Sequence, residues 1–309
     1  MGAVETTSTM TKEMSTYYDK VFLKRADYPL ILKEGAQMRT HSKNDGKVLR
    51  FNRYDAQTIN TTALTEGSNP SVCNVTACNV DVTLAEYGRT FKLAKFLTLT
   101  SIDVNNKEKI SLLGQNMGET LNRIVRNELE ADSTTAYPSS KTASTIAASD
   151  VLSASVIRKT VRTLEIAKAP TYSDGMYLGK AQPFTKADLL NDSTWINAKT
   201  YSDVKDLYKG EMGELYQVRW LNNIDGYTTT GAAGTTSSSV NVYSNYIHGS
   251  DAFGCYDLSG DMPRLYIVPN TPDSGNPAGR VSYASWAGSY ATQTLNSAWI
   301  VKLVTGATA

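Results

Sequence analysis

Between Gly46 and Ala131 the chain changes its hydrophobic period. Lys47-Val-Leu-Arg-Phe-Asn-Arg-Tyr54 alternates, with Leu49, Phe51 and Arg53 pointing one way and Val48, Arg50 and Asn52 the other, the two-residue period of a strand. A polar stretch follows, with Glu66-Gly-Ser-Asn-Pro70 as its turn signal. Alternation resumes at Val80, Val82 and Leu84, then again at Phe91, Leu93, Leu97 and Leu99, and Tyr87-Gly88 between the two registers predicts a bulge. Together these segments predict one very long β-hairpin. From Asn106, a good N-cap residue, the period becomes helical: Ile110, Leu113, Met117, Leu121, Ile124, Val125 and Leu129 recur at three- and four-residue spacing. That stripe predicts a helix of about six turns, roughly 36 Å long. Glu119 with Arg123, and Arg126 with Glu130, stand four apart and predict ion pairs along its surface. Gly114 and Gly118 cost helix propensity and predict close approach of another backbone, with a bend as the alternative. Two strands alone are marginal in water and leave backbone edges unpaired, so the hairpin needs a surface to lie on, its own globule's or a neighbouring copy's.

Elsewhere the pattern is broken. Residues 1–14 are rich in Thr and Ser and predict a mobile tail. Tyr17 to Gly35 mixes apolar and basic residues around Pro29, predicting a short helix and then an extended arm of the kind that packs away from its own core. Asp132 to Ser149 predicts a loop, after which Asp150 is expected to cap a second helix that Pro170 ends. Short strands are predicted at Gly213–Trp220, Arg264–Val268 and Ala298–Val304. Thr228 to Ser239 is a low-complexity tract and predicts a surface insertion. No internal repeat is visible. The fold class is α+β, with helices and strands poorly segregated into βαβ units.

Composition narrows the function more than it names one. The 309 residues can bury a large core, and 41% apolar content is ordinary for a folded protein. No run approaches the roughly 20 apolar residues of a membrane span, no secretion signal is expected, and Met1-Gly2 with Thr6 is a weak myristoylation signal. Net charge is +1, so total charge selects no partner class. Charge is uneven, with nine Lys/Arg against five Asp/Glu from Thr11 to Arg50, and with Arg158, Lys159, Arg162 and Lys168 against Glu165 in the second helix; a solvated face is the expected reading of both. Cys73, Cys78 and Cys255 have no zinc spacing and predict reduced thiols. The two histidines, His41 and His248, are paired with no nucleophile by any pattern, and no phosphate-cradling glycine motif occurs. Asp188, Asp192 and Asp261 are isolated acids, although a spatially assembled carboxylate pair stays open at this level. Trp195, Trp220, Trp286 and Trp299 are assigned to core.

Five separated segments, in order, carry a resemblance: Tyr17-Tyr-Asp-Lys-Val-Phe-Leu23, Leu64-Thr-Glu-Gly-Ser-Asn-Pro70, Leu113-Gly-Gln-Asn-Met-Gly-Glu-Thr-Leu121 with Arg126-Asn-Glu-Leu129, Gly210-Glu-Met-Gly-Glu-Leu-Tyr-Gln-Val-Arg219, and Gly249-Ser-Asp-Ala-Phe-Gly254. From about Tyr17 to Leu303 the chain resembles the major capsid proteins of tailed bacteriophages with the Hong Kong-type fold, in their podophage-type branch. The resemblance implies an N-terminal arm over 1–46, an extended loop over 47–100, a peripheral domain with its spine helix over 101–149, an axial domain over 150–254 and C-terminal return strands over 255–309. It implies self-assembly through pentamers and hexamers into an icosahedral shell around double-stranded DNA, with no enzymatic activity, cofactor, metal or membrane. It further implies a separate scaffolding protein, portal and decoration proteins, and residence in the virion after assembly in the host cytoplasm. Inter-subunit contacts are expected at Lys47, Arg50, Arg53 and Glu66 of the hairpin and at Glu119, Arg123 and Arg126 of the helix. The competing readings are a soluble α+β hydrolase, sought first around Asp188 and His248, and a tail or decoration protein.

Overall fold

The apolar stripe of the long helix runs through the centre of the molecule. In the computed structural model, the residues described are 11–26, 30–54, 57, 59–67, 69, 72, 74–75, 77–94, 106–142, 145–193, 213–229, 241–269, 272 and 275–308. Helix α1 spans Thr11–Ala26, and a short 3-10 turn follows at Leu30–Lys33. Strands β1 (Gln37–His41), β2 (Val48–Tyr54), β3 (Ala77–Thr83) and β4 (Ala85–Ala94) come next, then helix α2 (Asn106–Asp132). Beyond it lie β5 (Thr134–Ala136), α3 (Ala154–Ile166), β6 (Tyr177–Ala181), α4 (Pro183–Asn191), β7 (Glu214–Leu215), β8 (Val218–Asn222) and β9 (Thr228–Thr229). The chain closes with β10 (Val242–His248), β11 (Phe253–Leu258), β12 (Arg264–Val268), β13 (Val281–Thr294) and β14 (Ile300–Thr305).

Two sheets share α2. The first is built on β13, fourteen residues long. Antiparallel β4 covers one of its edges, while β11 and β12 follow each other along the opposite edge, and β1 adds in parallel to β11. The second sheet runs β5-β14-β10-β6-β8-β7, with β9 also pairing β10. One core holds Leu113, Met117, Leu121, Val125 and Leu129 of α2 with Phe22, Trp286 and Phe253. The other packs Ile157, Val161 and Leu164 of α3 and Leu189 of α4 on Ile247, Val301 and Leu303. Alternation along β10 divides the second sheet between them: Tyr246 meets α2 and Ile247 meets α3.

The predicted stripe of α2 is buried as expected, and at Gly114 the glycine question resolves toward close packing. A Cβ on Gly114 would lie 2.3 Å from the backbone oxygen of Phe22, so α1 sits directly on the helix at that point. Arg25 secures the crossing by donating to Gln115 Oε1 at 2.9 and 3.1 Å and to Ser111 Oγ at 3.3 Å. The Asn106 side chain lies outside the described residues.

Several expectations are corrected. The long hairpin is two structures: β3 pairs β2 over seven residues, and after Leu84 the return arm leaves its partner and β4 pairs β13. The register of β4 with β13 is continuous from Ala85 to Ala94, without a bulge; Gly88 is needed because a Cβ there would meet the Trp286 carbonyl at 2.7 Å. Helix α1 already begins at Thr11, inside the tail expected to be mobile. The arm does not pack away from its own core either, since Phe22, Ala26 and Leu32 are buried and β1 joins the first sheet. Asp150 caps no helix and accepts instead from Ala147 N; the orphan N–H of Ala154 is taken by Asp192 Oδ2 at 2.9 Å. Helix α3 ends at Ile166, ahead of Pro170, because Lys168 turns left-handed at φ 53° and the Lys168 and Ala169 amides close on Glu165 and Leu164. The loop after α2 contains β5, which pairs β14 in parallel. Gly213–Trp220 is a tight hairpin rather than one strand, turning at Tyr216 and Gln217, both with positive φ. Trp220 and Trp286 are core, Trp299 is partly buried, and Trp195 lies outside the described residues. Most of the Thr228–Ser239 tract, all of Ala198–Lys209 and Cys73 also lie outside them.

Candidate assembly surface

The β2–β3 ribbon has one covered and one open face. Leu49, Phe51 and Val82 face the body, where they pack with Tyr256 and Ala291. The Phe51 ring lies 4.9 Å from that of Tyr256, and the Arg39 guanidinium lies over the Phe51 ring at 4.9 Å. The ribbon's own globule therefore supplies the surface for its root. On the open face Arg50 opposes Asp81 in register and donates twice to it, at 2.6 and 2.8 Å. That hydrogen bond, with the guanidinium charge, holds the Asp81 carboxyl below its usual range. Both groups are solvent-exposed, so the pair fixes strand register more than it adds stability.

Past the ribbon, large apolar side chains stand open to solvent among the described residues. Tyr54, Ile59, Leu64, Val72 and Val75 are all more than half exposed, Val72 at 94%. Apolar side chains of this size forgo roughly 1.5–3 kcal/mol each when left in water. The turn signal is met at Glu66-Gly67, with Gly67 at φ +82°.

The predicted contact residues differ in their surroundings. Lys47 is exposed at the ribbon root, where its carbonyl accepts from Leu84 N at 3.1 Å. Glu66 is exposed at the turn. Arg53 pairs its backbone with Cys78, and both side chains lie outside the described residues. The helix residues have intramolecular partners, and the predicted four-apart ion pairs are replaced. Glu119 accepts from Gln115 Nε2 at 2.7 Å, whereas Arg123 and Arg126 both reach Asp225 at 3.3 Å. Glu130 is taken by Lys302 at 3.0 Å and by the Tyr246 hydroxyl at 2.8 Å. A partly buried carboxylate on a neighbouring element offers Arg126 a less hydrated partner than a residue on its own helix surface does.

Sequence reasoning missed a polar node between the arm root and the two sheets. Lys180 is fully buried, donates to the Leu32 carbonyl at 2.6 Å and lies over the Phe253 ring at 4.8 Å. Burial lowers its pKa to about 7. The Tyr172 hydroxyl stands 2.8 Å from the Gly35 carbonyl and 3.0 Å from His248 Nδ1. Burial holds His248 well below its usual range and raises Tyr172, and it also raises the Cys255 thiol, which makes that cysteine a poor nucleophile. Gly35 is required here: at φ +81°, a Cβ would lie 2.5 Å from the Tyr172 hydroxyl. No spacing in the sequence marks this node, because Lys180 occupies an ordinary strand position. Asp188, offered for hydrolysis, is engaged by the backbone and hydroxyl of Thr308. Among the described residues no helix is long and apolar enough to cross a membrane.

No family model matches the chain, and no curated protein matches it. Solved structures do. The capsid chain of cyanophage Pam1 is similar with a TM-score of 0.67 at 18% identity, covering 92% of this chain and 93% of that one. The capsid of cyanophage P-SCSP1u gives 0.66 at 12% identity over 90% and 89%, and that of Ralstonia phage GP4 gives 0.65 at 13% over 89% and 88%. The architecture is thus the α+β fold of tailed-phage capsid chains, the Hong Kong type expected from the sequence.

Proposed function

We propose that this chain is a major capsid protein that self-associates through pentamers and hexamers into an icosahedral shell enclosing double-stranded DNA. The observation that carries the reading is the ribbon and its extension: a segment rooted on its own globule whose apolar residues Ile59, Leu64, Val72 and Val75 find no cover within the described chain. Similarity to capsid chains over about nine-tenths of the length supports it. Residues 47–100 are the extended loop, following the arm (1–46) and preceding the peripheral (101–149) and axial (150–254) regions and the return strands (255–309). Lys47, Arg50, Arg53 and Glu66 meet a neighbouring subunit, while Arg123 and Arg126 tie the spine helix to Asp225 of its own chain and Glu119 bonds Gln115 within the helix. A separate scaffolding protein, a portal and decoration proteins complete the assembly, which forms in the host cytoplasm and ends in the virion. A net charge of +1 suits a lumen that contacts DNA without gripping it.

The test is negative-stain microscopy with sedimentation velocity on the purified chain, alone and with co-expressed scaffold. Closed shells, or five- and six-membered rings, are expected. A monomer or dimer under every condition overturns the reading and returns the hydrolase alternative to the bench.

A further inference from the structure

Three Asp-Gly dipeptides occur in the chain, at Asp45-Gly46, Asp174-Gly175 and Asp225-Gly226. In such a pair the backbone nitrogen can reach the preceding side chain, because glycine puts no Cβ in the way. The fold treats the three differently. Asp174 Oδ1 accepts from Met176 N at 3.1 Å, its Oδ2 pairs with Arg219 at 3.1 Å, and Gly175 N donates to the Tyr172 carbonyl at 2.9 Å. Asp225 is held by Arg123 and Arg126, each at 3.3 Å, and Gly226 is walled in, since a Cβ there would collide with the Gln182 side chain. At both sites the carboxylate would have to leave its partners before it could turn on its own backbone.

Asp45-Gly46 is under none of these restraints. Residues 42–48 are all exposed, and a Cβ on Gly46 would meet nothing within 4 Å. Among the described residues neither the Asp45 carboxyl nor the Gly46 N–H has a hydrogen-bond partner. The pair lies in the connection between β1 and β2, which turns through positive φ at Asn44 (64°) and Gly46 (82°). Beneath it the buried His41 sets Nε2 3.2 Å from the Asp45 carbonyl oxygen and 3.2 Å from that of Gly46. Both partners are acceptors, so Nε2 carries the hydrogen. A donor on the Asp45 oxygen stabilises the charge that this oxygen gains when the Gly46 amide gives up its proton, as an oxyanion hole does.

We infer that Asp45-Gly46 is a self-modification site, at which the folded chain isomerises to isoaspartate. The Gly46 nitrogen loses its proton and attacks Cγ of the protonated Asp45 carboxyl. A carboxyl oxygen leaves as water, and a five-membered succinimide closes. Water then adds to the ring carbonyl that had been the Asp45 main-chain carbonyl, and the bond from that carbon to the Gly46 nitrogen breaks. The peptide now runs through Cγ, and the former main-chain carbonyl is a free carboxylate. One water leaves and one returns, so the step needs no oxidant, cofactor or second protein. The product adds one backbone carbon, and one rotatable bond, between β1 in the first sheet and the ribbon root, where the Lys47 carbonyl accepts from Leu84 N. The link from body to ribbon therefore loosens as the protein ages. The inference does not rest on the shell reading.

The test is peptide mapping of the purified full-length chain after weeks at physiological temperature and mildly acidic pH, folded and, in parallel, unfolded in urea. Each digest is read for peptides of unchanged mass that resist an endoproteinase specific for normal aspartate. In urea, isoaspartate is expected at all three dipeptides alike. In the folded chain it is expected at residue 45 in about tenfold or greater excess over residues 174 and 225, which react only when their local structure opens. Asp45→Glu is expected to abolish the signal there, because the ring would need a sixth member, and the side chain is exposed, so the variant keeps the fold. A folded wild type with no isoaspartate at residue 45, or with no more there than at 174 and 225, overturns the inference.

Discussion

At the scale of the residue, the buried amine of Lys180 makes the sharpest prediction. Its folded pKa of about 7 stands below the unfolded value of 10.5, because burial disfavours the charged form. Between those values the unfolded chain binds more protons than the folded one, so this group's contribution to stability rises with pH across that window and is lowest below it. Cys255 and Glu34, which face the amine, act the other way and raise its pKa, and His248 lies in the same node. Urea unfolding of the wild type and Lys180→Met between pH 7 and 9 is expected to show a stability difference that drifts in favour of the wild type by about 1 kcal/mol per pH unit. Parallel curves would refute it. Gly114 makes a second prediction. Its missing side chain lets the Phe22 carbonyl approach, and a backbone atom cannot swing aside, so Gly114→Ala is expected to destabilise the chain by about 1–3 kcal/mol in the same assay.

At the scale of the element, charge decides which pieces are joined. Arg126 and Asp225 are each less than a quarter exposed and hold α2 to the turn after β8. Asp225→Ala leaves the guanidinium without its partner and is expected to cost about 2 kcal/mol in thermal unfolding. On the ribbon the question is whether Arg50 serves its own strand partner or a neighbour. Arg50→Glu sets two acids opposite each other, and adding Asp81→Arg restores the pair in reverse. If the ribbon's own register is what matters, the double variant recovers the shell yield that the single variant loses, read by sedimentation. A double variant as poor as the single one assigns Arg50 to an inter-subunit contact. Because Asp81 is held below its usual pKa, the ribbon pair persists above the ordinary carboxylate range and fails as pH falls through the lowered value.

For the whole molecule, stability and assembly separate. The two cores close without the extension past Tyr54, so replacing Ile59, Leu64 and Val72 together by Ser is expected to shift Tm by little, since surface changes fall within about ±0.5 kcal/mol each. Shell formation with scaffold is expected to fail in the same variant, scored by negative-stain microscopy. A folded variant that still closes shells would remove this surface from the assembly. The design is one in which many modest contacts between identical copies hold a symmetric particle, so removing a few from each copy acts at every interface.

Periodicity alone disclosed α2, its buried stripe and the alternation of β2, because both depend only on which side chains water rejects along a regular backbone. The glycine at 114 and the turn at Glu66-Gly67 were legible for the same local reason. What the sequence did not disclose is where each strand finds its partner. The return arm carries one alternation through Leu84, yet β3 stays with β2 and β4 crosses to β13, since pairing is settled by the sheet edge left open once the cores have formed. The ion pairs followed the same rule: helical spacing offered Glu119 to Arg123, and a partly buried Asp225, 99 residues beyond Arg126, prevailed. Lys180 acquires its meaning from burial alone, a property that belongs to the folded whole and to no spacing along the chain.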